Sequence, residues 1–143
     1  MTDKYAVIGN PIDFSKSPFI HMSFAKNTDQ DIEYTKILGP LGGFKETVDQ
    51  FRSEGGKGIN ITAPFKLDAF QYATKRSPAA ELAGAANALW FSGHEVMAEN
   101  FDGVGLVRDV VHNLKHALQG KRVLLLGAGG CLLYTSPSPR DCS

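Results

Sequence analysis

The stretch GINITAPFK, residues 58–66, carries polar side chains at the end of an apolar strand. Its isoleucines alternate with Asn60 and Thr62, and a period of two puts both hydrogen-bonding side chains on one face. Pro64 suits the first turn of a following helix, so Lys66 falls in that turn, where unpaired N–H groups disfavour a cation. A lysine at this unfavourable place indicates a site at the strand end. The alternatives are a solvated lysine and polar side chains that only shape a turn.

Polar residues also stand at three other predicted strand ends or helix starts. Ser15 and Ser17 precede a proline that suits the start of a helix, where hydroxyls and N–H groups can bind an anion. Asn87 closes the run GAAN, and Asp102 lies in the run NFDGVG. Each has a simpler explanation. Ser17 and Asp102 are residue types that cap helices, and Asn87 suits the turn before a strand.

A fifth segment consists of closely spaced glycines after an apolar strand at 122–126. Dinucleotide-binding domains open in this way, because glycines let the backbone approach a pyrophosphate at a helix N-terminus. The candidate cofactor-binding residues are Gly127, Ala128, Gly129 and Gly130. Residues 131–143 hold two prolines and three serines and cannot supply the helix that should follow. They resemble translated sequencing-adaptor tails, so we expect them to be a foreign tail.

In this order and at these spacings, the five segments resemble shikimate dehydrogenases, and the resemblance covers residues 4–130. It implies an oxidoreductase that reversibly reduces 3-dehydroshikimate to shikimate with NADPH, in the pathway to the aromatic amino acids. It also implies the role of each candidate residue. Ser15 and Ser17 would hold the substrate carboxylate, Asn60, Thr62 and Asn87 would bind hydroxyls, and Lys66 and Asp102 would form a catalytic pair that also contacts substrate.

The oxidation of a secondary alcohol needs a group that takes the hydroxyl proton while the nicotinamide takes a hydride. A helix start favours neutral Lys66 and a nearby carboxylate favours the charged form, so the sequence leaves open which member of the pair accepts the proton. The family has threonine where this chain has Phe101, which puts substrate identity or affinity in question. Two alternatives stay open: an NAD-linked quinate/shikimate dehydrogenase, and a module that binds the acid without chemistry.

Composition favours small-molecule chemistry. With 143 residues, 43% of them hydrophobic and 21% charged, the chain is about one globular domain long. Its formal charge is zero and it has no basic cluster, which argues against nucleic acid. A short acidic start and the lack of a long apolar run predict a cytoplasmic protein with no membrane contact. His112 and His116 are four residues apart but have no apparent third ligand, so we expect no metal.

The hydrophobic pattern alternates strands and helices, which predicts an α/β fold: a three-layer sandwich around a mostly parallel sheet, with one hairpin near Gly93. Residues 1–102 form the predicted substrate-binding domain. An apolar stripe predicts a linking helix at 103–118. Residues 119–130 would then be the first strand and glycine turn of a truncated Rossmann domain. Because the rest of that domain is missing, we expect the chain as given to lack dehydrogenase activity.

Overall fold

The computed structural model describes residues 2–124, which form six strands, five α-helices and one π-helical segment. The strands are β1 (Asp3–Gly9), β2 (Ile32–Leu38), β3 (Gly56–Ile61), β4 (Lys75–Arg76), β5 (Ala88–Ser92) and β6 (Glu95–Glu99). The helices are α1 (Ser17–Asn27), α2 (Phe44–Ser53), α3 (Lys66–Tyr72), α4 (Pro78–Ala83) and α5 (Asp102–Arg108), and the π-helical segment is Asp109–Asn113. None of the helices in this part of the chain is long and apolar enough to cross a bilayer.

The six strands form one sheet in the order β2-β1-β3-β5-β6-β4. Strand β1 is parallel to β2 and β3, and β4 is parallel to β6. Strand β5 is antiparallel to both of its neighbours, and a tight turn at Gly93, with φ of 57°, joins it to β6. The mostly parallel sheet with one antiparallel hairpin is therefore confirmed. The two-residue strand β4 was not predicted, since it is too short to show a period.

Helices cover both faces of the sheet. In β1 the side chains alternate, so Ile8 packs on one face and Val7 on the other. The Ile8 face carries the main core, to which α2 contributes Val48 and the start of α3 contributes Phe65, both fully buried. On the Val7 face, α1 packs over β1 and β2 beside a smaller apolar cluster. The α/β class and its layers follow from this alternation.

Helix α3 begins later than the pattern predicts. The predicted helix includes Pro64, whereas the structure places Pro64 in a turn and starts α3 at Lys66. The Phe65 N–H donates to the Thr62 carbonyl (3.1 Å), which is a turn contact, and the Phe65 ring enters the core. Burial of this ring sets where the helix can start. Lys66 still lies in the first turn.

The predicted linking helix at 103–118 is wrong in its second half. Helix α5 runs into the π-helical segment and regular helix stops at Asn113. Lys115 has φ of 58°, a left-handed conformation that ends helices. The apolar stripe that suggested a longer helix includes Leu114, which is exposed, and none of the π-helical side chains is buried. A helix gains most of its stability by packing, and no side chain of this stripe is buried in the described part of the chain.

The predicted nucleotide-binding segment falls mostly outside the described residues. Residues 121–124 are not assigned to a strand, and they include only the first three residues of the strand predicted at 122–126. The rest of that strand, the glycines at 127–130 and the tail at 131–143 lie outside the described range. The first strand of a Rossmann domain therefore stays a prediction.

The tight contact between Gly39 and the core gives a stability prediction. A Cβ at position 39 would meet Phe65 at 2.6 Å and Ile8 at 3.1 Å. Because the Phe65 ring is buried and cannot move aside, we expect Gly39→Ala to lower the free energy of unfolding by about 1–3 kcal/mol in urea denaturation. The matched control is Gly105→Ala, where a Cβ would meet nothing within 4 Å. Equal stability of the two variants would contradict this account of the core.

Candidate functional site

The candidate site lies where the ends of neighbouring strands meet. Strands β1 and β3 are parallel, so Gly9 and Ile61 end at the same edge of the sheet. Strand β5 runs the other way, and its first residue, Ala88, pairs with Asn60 near the end of β3. Strand β6 turns back and brings Glu99 beside Ala88. The loops after β1, β3 and β6 and the loop before β5 therefore meet at one place, as loops at ligand sites of α/β sheets do.

A cavity of about 470 Å³ opens at this edge. Its lining combines apolar side chains with hydroxyls, amides and the imidazole of His21. Five of the predicted substrate-binding residues are among them: Ser15, Ser17, Asn60, Thr62 and Asn87. Polar groups set among apolar ones suit a small ligand that carries several hydrogen-bonding groups.

Lys66 and Asp102 form an ion pair although they lie 36 residues apart in the chain. Lys66 Nζ donates to Asp102 Oδ2 at 2.6 Å, and the two side chains are 20% and 27% exposed. The pair is therefore shielded from much of the solvent but still accessible to a ligand. Asn87 Nδ2 donates to the other carboxylate oxygen, Oδ1, at 2.9 Å. Because Asn87 also lines the cavity, it links the ion pair to the other four predicted residues there.

The main chain fixes Asn87 between two strands. Its carbonyl accepts from the Ile61 N–H (2.8 Å), and its own N–H donates to the Glu99 carbonyl (3.0 Å). Its side-chain oxygen accepts from the Phe101 N–H (3.0 Å), while its amide nitrogen holds Asp102. Asn87 therefore does more than shape the turn before a strand. It sets the position of the first turn of α5 relative to α3.

Asn100 supports the first turn of α5 through two side-chain hydrogen bonds. Its side chain is 1% exposed. Nδ2 donates to the Ala85 carbonyl (3.0 Å), and Oδ1 accepts from the Asp102 N–H (3.1 Å). The simpler interpretation of Asp102 as a helix cap does not hold, because Phe101 occupies the cap position of α5 and Asp102 is its first helical residue.

Phe101 contacts the site through its main chain. Its N–H bonds to Asn87, whereas its ring is 54% exposed. Because any residue supplies this N–H, the bond to Asn87 does not depend on which side chain stands at position 101.

The two serines lie at the start of α1, on the cavity. Helix α1 begins at Ser17 with Lys16 in the cap position, so Ser17 is the first residue of the helix and not its cap. The Ser17 N–H instead donates to Ser15 Oγ at 3.3 Å. Both side chains are half-buried and both line the cavity. The interpretation of Ser17 as a helix cap alone is therefore wrong.

Two aromatic residues at the site were missed by sequence reasoning. The Tyr34 hydroxyl donates to Asn60 Oδ1 at 2.6 Å, and the His21 ring stacks on the Tyr34 ring with centroids 4.5 Å apart. Burial lowers the pKa of His21 and raises the pKa of Tyr34 well above its usual range. Both residues stand outside the recognised motifs. An inward-facing tyrosine in a strand is commonly a core residue, so the sequence offered no signal for either.

Other predicted sites can be placed only in part. The four residues predicted to receive a dinucleotide lie outside the described range. His116 no longer shares a regular helix with His112, because that helix ends at Asn113. From residue 2 to residue 124, no group of three or more His, Cys, Asp or Glu side chains is placed to hold a metal ion.

Comparisons with known proteins show the family of the chain. The family model described as the shikimate dehydrogenase substrate binding domain matches residues 7–89. The shikimate dehydrogenase (NADP(+)) of Chromobacterium violaceum is 54% identical over 132 residues, which is 92% of this chain and 48% of that protein. The same enzyme of Aromatoleum aromaticum is 52% identical over 90% of this chain and 46% of its own length. The chain thus spans about half the length of these curated relatives.

Solved structures give the same result. The crystal structure of an Ael1 enzyme from Pseudomonas putida is 57% identical and superposes with a TM-score of 0.88, over 94% of this chain and 49% of that one. Shikimate 5-dehydrogenase from Thermus thermophilus in complex with shikimate is 26% identical, with a TM-score of 0.84 over 93% and 50% of the two chains. The fold and the site define an α/β substrate-binding domain. The chain belongs to the shikimate dehydrogenase family.

The buried contacts of Asn100 give a second stability prediction. In Asn100→Ala the buried Ala85 carbonyl loses its donor and the Asp102 N–H loses its acceptor. We expect a loss of about 1–3 kcal/mol in the free energy of unfolding, measured by urea denaturation. Asn113→Ala is the matched control, since it removes an exposed bond to Asp109 and should change stability by less than about 0.5 kcal/mol. An Asn100→Ala variant as stable as this control would show that the α5 turn does not depend on Asn100.

Proposed function

We propose that residues 1–102 bind shikimate in the 470 Å³ cavity, and that the whole protein interconverts shikimate and 3-dehydroshikimate with NADPH. The observation that carries the proposal is the Lys66–Asp102 pair, held at 2.6 Å and joined through Asn87 to a cavity rich in hydroxyls and amides. The curated relatives are named shikimate dehydrogenase (NADP(+)), which supports this substrate and this cofactor. Through this pathway the protein would serve aromatic amino-acid biosynthesis.

The groups of the cavity match the groups of the ligand. Shikimate is a ring that carries one carboxylate and three hydroxyls. We assign the carboxylate to Ser15 and Ser17, whose hydroxyls can donate to an anion. We assign the ring hydroxyls to Asn60, Thr62 and Asn87, because amides and hydroxyls both donate and accept hydrogen bonds.

The ion pair would handle the proton of the reacting hydroxyl. When a secondary alcohol becomes a ketone, the hydroxyl proton must leave as the carbon loses a hydride. Lys66 Nζ and Asp102 Oδ2 share a hydrogen bond, so the Asp102 carboxylate would stabilise the ammonium that forms when neutral Lys66 takes the proton. A reduced nicotinamide, when bound, supplies the hydride for the reverse reaction. A module that only held the acid would have no need of a partly shielded ion pair beside it.

Two further parts of the proposal concern the rest of the protein. We place the end of the substrate-binding domain at Asp102 and keep residues 119–130 as the beginning of the nucleotide-binding domain. We also propose a cytoplasmic location, because residues 2–124 include no cysteine and thus need no oxidising compartment.

The catalytic test uses Lys66→Ala in a chimera that joins residues 1–130 of this chain to the remainder of the Chromobacterium violaceum relative. We expect kcat to fall by about 10²–10⁴-fold, since positioned proton transfer typically contributes that much. The KM for shikimate should change far less, because one lost hydrogen bond among several costs on the order of 1 kcal/mol. Turnover is followed by NADPH absorbance.

The matched control is Lys57→Ala, which removes an exposed lysine from β3. It should leave kcat and KM nearly unchanged. A raised KM with unchanged kcat in Lys66→Ala would reduce Lys66 to a binding residue. A chimera that turns over quinate with NAD more efficiently than shikimate with NADP would favour the quinate/shikimate branch of the family instead.

A further inference from the structure

Tyr34 reaches the site from two strands away. It lies in β2, pairs with Tyr5 of β1, and is only 9% exposed. Its hydroxyl extends past β1 to Asn60 of β3 and donates to Oδ1 at 2.6 Å. This bond joins two strands that are not neighbours in the sheet.

The Tyr34 ring is held on both sides. Val7 and Ile12 pack with it in the smaller apolar cluster. The His21 ring of α1 stacks on it with an angle of 4° between the planes. A ring packed in this way has little freedom, so its hydroxyl stays close to one place.

The hydrogen bond from Tyr34 determines the orientation of the Asn60 side-chain amide. An amide has an acceptor oxygen at one end and two N–H donors at the other. Because burial raises the pKa of Tyr34 well above its usual range, the hydroxyl remains protonated at neutral pH and acts as a donor. The amide oxygen is therefore turned toward Tyr34 and the nitrogen away from it. Asn60 lies at the boundary of two cavities, so the choice between its two orientations has a consequence for binding.

We propose that Tyr34 is a positioning residue, which fixes the Asn60 amide so that its N–H donors face the cavity lined by Ser15, Ser17, Thr62 and Asn87. His21 contributes by holding the Tyr34 ring. The inference rests on the proposed function, because it takes this cavity to bind shikimate. Without the hydroxyl, the amide could rotate and present its oxygen to a ligand oxygen that needs a donor.

The test compares Tyr34→Phe with Tyr5→Phe by calorimetric titration of the 143-residue chain with shikimate. Both variants remove one hydroxyl from the same face of the sheet, and thermal melts check the fold of each. We expect Tyr34→Phe to raise the Kd about 5–10-fold, as the loss of one oriented hydrogen bond predicts. Tyr5→Phe should change it less than twofold. Equal Kd values for the two variants would overturn the proposal.

A double-mutant cycle separates positioning from a general effect on structure. If Tyr34 acts through Asn60, Tyr34→Phe should change the Kd less than twofold once Asn60→Ala is present. The same fold-change in both backgrounds would overturn the proposal. Asn60→Asp tests the orientation from the other partner, since it keeps an acceptor for Tyr34 but has no N–H donor. If Asn60→Asp bound shikimate as tightly as the unchanged chain, the assignment of Asn60 as a donor to the ligand would be contradicted.

An NMR experiment decides the inference independently of shikimate. The Asn60 side-chain amide signals, assigned by their loss in Asn60→Ala, should move in Tyr34→Phe and stay in place in Tyr5→Phe. Unchanged signals in Tyr34→Phe would show that the hydroxyl does not orient the amide. If the unchanged chain fails to bind shikimate while the amide signals respond as expected, the proposed function fails and the positioning by Tyr34 stands.

Discussion

The site depends on the two main-chain hydrogen bonds of Asn87. They tie its carbonyl to β3 and its N–H to β6, so the residue cannot move without breaking the sheet. From this fixed point its side chain holds both the main chain at Phe101 and the carboxylate of Asp102. Lys66 belongs to the other side of the site, where α3 begins. The distance between the two members of the ion pair is thus set by the sheet and not by the flexible side chains alone.

The two oxygens of the Asp102 carboxylate contact two different kinds of partner, one charged and one neutral. One faces the ammonium of Lys66 and the other faces the neutral amide of Asn87. Removing a charge pair from water costs energy, and partial exposure of both side chains keeps this cost moderate. A second neutral partner fixes the orientation of the carboxylate without adding another charge. The result is an ion pair with a defined geometry that a ligand can still reach.

The sequence was enough to predict the class of the fold and the segments that meet at the site. The hydrophobic pattern predicted strands that alternate with helices in the region of β1, β2 and β3, and the motifs located Lys66 and Asp102. It could not predict contacts that depend on what lies two strands away or on a carbonyl in another loop, which is how Tyr34 and Asn100 act. The helix predicted at 103–118 failed for a related reason. A periodic stripe predicts a helix only when another surface covers the stripe.

Helix α5 is held mainly at its first turn. Its first turn is fixed by Asn87 and Asn100, whereas no side chain from Val104 to Asn113 is buried. A force applied to the outer part of this helix would therefore be resisted mainly by a few hydrogen bonds around Asp102. The position of the Asp102 carboxylate thus depends on the fixed first turn of α5 and not on its exposed outer half.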